Sequence, residues 1–208
     1  AWLKVYSKED FYGQKGPGGK LTANAWWERA PHKVAFGKAA VRRSVNEVWH
    51  FLLPDKNMLG ARAISELKRA NPEVARGMGD LIKDWTAPIG DKDFRTLQRL
   101  SAKVDALLKE YFKFQLGLEN VTRNKSQIWG VPGEVDLDFR NHAGNYAEKE
   151  HLNDTRYMHN NAYFRLKMVM DYWCALWFWT FDDAAALPRR DDYWNDIEAM
   201  LRVSDDAL

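Results

Sequence analysis

The chain has 208 residues, of which 46% are apolar and 29% charged, and it contains 10 Trp, 8 Tyr and 10 Phe. This composition is typical of a globular protein and excludes an intrinsically disordered chain. The longest nearly apolar stretch, Met168 to Phe181, has 14 residues and includes Asp171, whereas a membrane-spanning helix needs about 20. The sequence therefore predicts one folded domain, or one domain with an appendage, without a transmembrane segment.

The chain begins at Ala1 rather than at a methionine and carries no segment typical of a secretory signal, which indicates a piece of a longer protein. Its single cysteine, Cys174, excludes an intramolecular disulfide and is compatible with a reducing cytoplasm. We therefore expect a cytoplasmic fragment whose partners include neighbouring domains of the same polypeptide.

The net charge of +2 conceals an uneven distribution of charge along the chain. Residues 1–130 carry 23 Lys and Arg against 14 Asp and Glu, and residues 131–208 carry 8 against 15. The basic part could lie along phosphates, and the acidic part could dock against it or against a neighbouring domain. Ordinary solvated surfaces would explain the same charges, so the distribution alone leaves both interpretations open.

Residues 1–57 form a mixed segment of extended chain and loops. The apolar residues between Trp2 and Tyr6 favour a short extended piece, and the glycines between Gly13 and Lys20 require a loop. The compact apolar run from Val48 to Leu53 fits either a buried strand or one turn of core helix. Of these two, we favour the strand.

Residues 58–117 show the periodicity of helices. We expect helices from Ala61 to Ala70, from Pro72 to about Trp85, and from Asp91 to about Leu116, the last being long and amphipathic. Its apolar residues recur at steps of three and four, and several of its basic residues fall elsewhere: Arg95, Arg99, Lys103 and Lys109.

A polar connection is predicted over residues 118–143, and helices again over residues 144–208. We expect helices at about Gly144 to Asn153, Asn161 to Phe181 and Asp191 to Val203. The second of these is apolar on nearly every side from Met168 onward, which is typical of a central helix. We therefore interpret its tryptophans as interior scaffolding rather than as a base-stacking platform. The predicted fold is mainly α, a single irregular helical bundle with a short mixed N-terminal segment, in which the helices of Phe94 and Tyr172 pack together.

The sequence does not indicate catalytic or metal-binding residues. His151 and His159 are eight residues apart, about 12 Å along a helix, which is too far for one metal ion; His142, Glu148 and Glu150 nearby do not improve the spacing. Burial of Cys174 in the apolar helix would suppress its thiolate. We expect neither a catalytic residue, nor a metal site, nor a cofactor site in this fragment.

Basic residues at the boundaries of the predicted elements are the one positive indication of a partner. Side chains at such positions can reach the phosphate backbone of duplex DNA, which positions a protein without reading sequence. The candidate DNA contacts are Arg42, Arg43, Arg123, Lys125, Arg189 and Arg190. The Gly13 to Lys20 loop lacks the spacing of a nucleotide-binding loop but could also contact phosphate.

Three segments resemble stretches of a known family. They are Ser44 to Leu59 (SVNEVWHFLLPDKNML), Thr122 to Gly130 (TRNKSQIWG), and Leu166 to Trp179 (LKMVMDYWCALWFW) followed by LPRR at Leu187 to Arg190. They are similar to parts of the large bacterial DNA adenine-N6 methyltransferases of restriction and phage-defence systems, the type IIG-like and DISARM-type enzymes.

The resemblance implies a parent enzyme that uses S-adenosylmethionine and flips an adenine out of the duplex. The chain contains neither the Asn-Pro-Pro-aromatic motif nor the Asp-x-x-x-Gly-x-Gly loop of that family, so no catalytic or cofactor residue is assigned. The expected function is a noncatalytic helical accessory domain that contacts the DNA backbone or braces the catalytic domain. The alternative is a structural protein-interaction module that does not bind nucleic acid.

Overall fold

A computed structural model describes residues 4–12, 26–34, 36–37, 40–41, 43–59, 61–122, 150–151, 154, 161–179 and 186–202. Its short strands are β1 (Lys4–Ser7), β2 (His32–Lys33), β3 (Phe36–Gly37), β4 (Ala40–Val41) and β5 (Glu47–Trp49). Its helices are α1 (Lys8–Phe11), α2 (Ala61–Ala70), α3 (Pro72–Trp85), α4 (Asp91–Thr122), α5 (Ala162–Ala175) and α6 (Arg190–Arg202). Most of the described residues are helical, so the predicted mainly α fold is confirmed.

The mixed N-terminal segment contains a small antiparallel sheet. Strand β1 lies between β2 and β5, with Tyr6 opposite Val48 and Val5 opposite Trp49, and β3 pairs separately with β4. The favoured strand over Val48 to Leu53 is confirmed only as far as Trp49. A 3-10 turn follows from His50 to Leu52, closed by a bond from the Leu53 amide to the His50 carbonyl.

Helices α2 and α3 have the bounds that the sequence predicts. Asn71 separates them, and its side-chain oxygen accepts a hydrogen bond from the amide of Val74 at 3.3 Å. This contact satisfies one of the backbone donors left unpaired at a helix start. Pro72 begins α3 at the position where its missing N–H is not needed.

Helix α4 begins at Asp91, as predicted, and continues to Thr122, six residues beyond the predicted end at Leu116. Gly117 does not stop it, because glycine inside a helix costs only about 1 kcal/mol relative to alanine. Residues 118–122 of the predicted connection are therefore helical, and the rest of it lies outside the described residues. Within the described residues, no helix is both long and apolar enough to cross a bilayer.

Helix α5 is shorter and less buried than the sequence predicts. It ends at Ala175 rather than Phe181, and beyond it Phe178 is 85% exposed and Trp177 39% exposed. Only one side of α5, which includes Leu166 and Val169, is fully buried. The prediction of a helix enclosed on nearly every side is wrong because an apolar run does not reveal how many neighbours surround it.

Helix α5 packs against α4, as expected, and also against α6. Helix α6 covers almost the predicted range and buries Tyr193, Trp194 and Ile197. In the other predicted helix, Gly144 to Asn153, Glu150 and His151 are helical, and the remaining positions lie outside the described residues. The loop from Gly13 to Lys20 also lies outside them.

Three aromatic side chains fasten the N-terminal segment to the helical bundle. Tyr193 Oη donates to the carbonyl of Phe51 at 2.7 Å, Trp194 Nε1 to that of Leu52 at 2.9 Å, and Trp173 Nε1 to that of Leu53 at 3.1 Å. These consecutive backbone carbonyls are thus satisfied by donors from α5 and α6, as buried polar groups require. The aromatic residues near the C-terminus therefore join the two halves of the chain.

Candidate functional site: a basic helix face and an aromatic cavity

Arg43, one of the six predicted DNA contacts, lies in an internal ion pair. Its side chain is 6% exposed, and its Nη2 and Nε atoms lie 2.6 and 2.9 Å from Asp105 Oδ2 on α4. It also donates to the carbonyl of Glu47. The other carboxylate oxygen of Asp105 accepts the indole N–H of Trp49 at 3.0 Å. Arg43 thus anchors β5 to α4, and its guanidinium is turned away from solvent.

Arg190 has a similar internal position at the start of α6. Its side chain is 12% exposed, donates to the carbonyl of Ala87 at 2.8 Å and to Asp93 at 3.2 Å, and lies over the Trp194 ring at 5.1 Å. Arg189 beside it is exposed. The remaining predicted contacts, Arg42, Arg123 and Lys125, lie outside the described residues.

A basic surface that was not among the predicted DNA contacts runs along α4. At 3.6 residues per turn, its residues project within an arc of about 120° around the helix axis, opposite the buried side of the helix. We call this surface the basic face. The basic face consists of Lys92, Arg95, Arg99, Lys103, Lys109 and Lys113. It extends over about 32 Å at 1.5 Å per residue. The periodic spacing of these residues, visible in the sequence, was the signal that could have identified it.

Acidic groups partly neutralise the basic face. Asp91 and Glu110 project on the same arc, and Glu198 of α6 pairs with Arg99 at 2.8 Å and with Lys103 at 3.4 Å. The acidic C-terminal part of the chain therefore docks on the basic part at this point, one of the arrangements that the charge distribution allows. Six cations against three carboxylates leave the face positively charged at both ends.

The described residues also enclose a cavity of about 200 Å³ between the small sheet and α5. Its walls are rich in aromatic rings from separate parts of the chain: Tyr6, Trp26, Trp27, His50 and Trp173. Lys4 and Asp55 contribute the charged groups of the lining. The interpretation of the C-terminal tryptophans as interior scaffolding alone is therefore wrong for Trp173, which faces this cavity together with an imidazole and a carboxylate.

His50 is held in its neutral form inside the cavity wall. Burial, assisted by the charge of Lys4, lowers the pKa of His50 to about 4 against the opposing effect of its bond to the Lys4 backbone. Its Nδ1 lies 3.0 Å from the Lys4 carbonyl, and because a carbonyl only accepts, Nδ1 carries the proton and Nε2 is the acceptor. A base this weak suits ligand binding better than general-base catalysis at neutral pH.

The neutral His50 makes stability depend on pH. The pKa of His50 is about 6.5 in the unfolded chain and about 4 in the folded chain. Protonation of His50 therefore favours the unfolded chain, and the free energy of unfolding falls as the pH drops between these values. We expect a loss of about 1.6 kcal/mol between about pH 6.5 and 5, because the full slope of about 1.36 kcal/mol per unit is reached only below the unfolded pKa. Urea unfolding at a series of pH values measures it, with His50→Gln as the control whose stability should change less over that range. Equal pH dependence of the two proteins would contradict the burial of a neutral imidazole.

A second concavity of about 360 Å³ separates α4 from α5. It is largely apolar, with Tyr111 and Tyr163 stacked at 5.7 Å on one side and Cys174 in the lining. Cys174 is partly exposed rather than part of the core as expected. Burial and the charge of Asp171 nevertheless raise its pKa, which disfavours the reactive thiolate, as the sequence suggested.

No cluster of three or more potential metal ligands occurs among the described residues. Glu150 and His151 are exposed, while Glu148, His142 and His159 lie outside the described part of the chain. The two features that the structure defines are the basic face of α4 and a small aromatic cavity. Comparisons with protein-family models, with curated proteins and with solved structures found no match to this chain.

Proposed function

We propose that the chain is a noncatalytic helical module that binds the phosphate backbone of duplex DNA through the basic face of α4. The observation that carries the proposal is the alignment of six cations along about 32 Å of one helix. This length is close to one turn of duplex DNA, about 34 Å. Backbone contacts of this kind supply affinity and orientation without sequence selectivity.

The small residues between the cations support a close approach to a phosphate strand. Ala102 and Ala106 are exposed along the middle of the basic face, so no large side chain separates the helix from a ligand there. Lys92 and Arg95 lie at one end, and Lys109 and Lys113 lie at the other, away from the pairs with Glu198. We expect these four cations to provide most of the phosphate contacts. Arg189 is a further exposed candidate, whereas the proposal does not rest on Arg43 or Arg190.

A salt titration of duplex binding tests the proposal. Four neutralised phosphates give a slope of about −3.6 in a plot of log affinity against log salt concentration, so affinity should fall about a hundredfold between about 50 and 200 mM salt. Fluorescence anisotropy with two short duplexes of unrelated sequence measures this, and the two should bind alike. The absence of binding at low salt would remove the proposed function.

The parent protein proposed from the resemblance is a DNA adenine-N6 methyltransferase that uses S-adenosylmethionine. In that setting the module would hold DNA for a catalytic domain elsewhere in the polypeptide. The test is independent of the salt titration: the complete reading frame should contain an Asn-Pro-Pro-aromatic motif. A frame without this motif would remove the parent assignment and leave the DNA-binding proposal in place.

The exposed aromatic pair after α5 favours a second candidate function, docking on another protein domain. Phe178 is 85% exposed and Trp177 39% exposed, and exposed apolar side chains grouped together mark interaction sites. This function predicts that the isolated chain self-associates and that Phe178→Ser suppresses the association in sedimentation experiments. A monomeric wild-type chain would contradict it.

A further inference from the structure

The aromatic cavity has the architecture of a box. The Tyr6 and Trp26 rings meet at 82° with centroids 5.7 Å apart, and the Trp26 and Trp27 rings meet at 83° with centroids 6.0 Å apart. The His50 and Trp173 rings, also in the lining, meet at 72° with centroids 5.2 Å apart. The negative faces of aromatic rings attract organic cations, and Trp27, His50 and Trp173 are the partly exposed rings of this lining.

The charged groups of the lining balance each other. Asp55 contributes one negative charge and Lys4 one positive charge, while His50 is neutral. Burial has the largest effect on the pKa of both Tyr6 and His50; in addition, the charge of Asp55 raises the pKa of Tyr6, and that of Lys4 lowers the pKa of His50. A ligand carrying one charge of each sign would therefore be complementary to both.

We propose that this cavity binds a small zwitterion of the betaine class, a methylated ammonium group joined to a carboxylate. The rings and Asp55 take the methylated ammonium group, and Lys4 takes the carboxylate. The volume of about 200 Å³ holds a small molecule. That volume is smaller than that of the usual drug-sized pocket.

Calorimetric titration of the chain with glycine betaine and with 3,3-dimethylbutanoate tests the proposal. The second compound has the same shape but carries an uncharged tert-butyl group in place of the ammonium. We expect glycine betaine to bind at least about tenfold more tightly, which is the effect of a desolvated cation on aromatic faces. Equal affinities, or no heat of binding at millimolar concentrations of glycine betaine, would overturn the proposal.

Variants of the lining provide the second readout. Trp27→Leu and Asp55→Asn should each weaken glycine betaine binding several-fold, while Trp177→Leu, outside the cavity lining, should leave it unchanged. Asp55→Asn retains the oxygen that accepts hydrogen bonds from Asn57, so it remains informative if Trp27→Leu does not fold. An unchanged affinity in Asp55→Asn, or an equal loss in Trp177→Leu, would overturn the assignment of the ligand to this cavity.

Discussion

Asp105→Ala is expected to lower the free energy of unfolding by about 3 kcal/mol, because removing one partner of a buried ion pair leaves the other charge uncompensated. Arg43 would lose its carboxylate partner while its side chain is 6% exposed, and the Trp49 indole N–H would lose its acceptor. Asp105 itself is 34% exposed, and Arg43 keeps the carbonyl of Glu47. Because Asp105 is partly exposed and Arg43 keeps one acceptor, we expect a loss of stability at the lower end of the usual range of about 3–5 kcal/mol.

Urea unfolding measures this loss, and two further variants identify its cause. Asp105→Asn retains an oxygen for the Trp49 N–H and should therefore cost less than Asp105→Ala. The double variant Arg43→Leu/Asp105→Leu is compared with its two single variants. Its loss of stability should be well below the sum of their losses, because the double variant leaves neither charge without its partner. A stability of Asp105→Ala within about 0.5 kcal/mol of the wild type, the range of ordinary surface substitutions, would contradict the anchoring role of this pair.

Neutralising the two ends of the basic face is expected to weaken duplex binding at least about a hundredfold at about 50 mM salt. The variant carries Lys92→Gln, Arg95→Gln, Lys109→Gln and Lys113→Gln. Each lost phosphate contact should also reduce the salt slope by about one. Because all four positions are exposed on α4, the substitutions should leave folding intact, which circular dichroism verifies.

A control with the same change in net charge distinguishes the basic face from general electrostatic attraction. It neutralises four exposed cations of α2 and α3: Lys68, Arg69, Arg76 and Lys83. We expect the affinity of this control variant for the duplex to fall less than tenfold. Its cations attract DNA only from a distance, and such attraction is screened within about 10 Å at about 0.1 M salt. Equal losses in the two variants would show that no particular face binds DNA.

The sequence predicted the elements that local signals define. The bounds of α2 and α3 follow from Asn71 and Pro72, which end one helix and begin the next. Residue spacing likewise predicted which side of α4 faces the core. Local signals were insufficient for α5, because the hydrophobicity of Trp177 and Phe178 does not reveal whether a neighbour covers them.

The candidate site was harder to predict because its contacts join distant parts of the chain. Arg43 and Arg190 look like surface cations in the sequence, but their carboxylate partners lie 62 and 97 residues away. The aromatic cavity likewise combines residues from β1, the 3-10 turns Trp26–Glu28 and His50–Leu52, and α5. The basic face, by contrast, belongs to one helix and could have been found from its periodicity.

Site-specific photocrosslinking shows whether DNA lies against the basic face of α4. A photoreactive amino acid at Ala106, exposed in the middle of this face, is compared with one at Ala70, exposed at the end of α2. On irradiation with a labelled duplex, we expect a crosslink from position 106 that high salt abolishes and little or none from position 70. Crosslinking from position 70 alone, or equally from both positions, would show that DNA does not lie specifically against the basic face of α4.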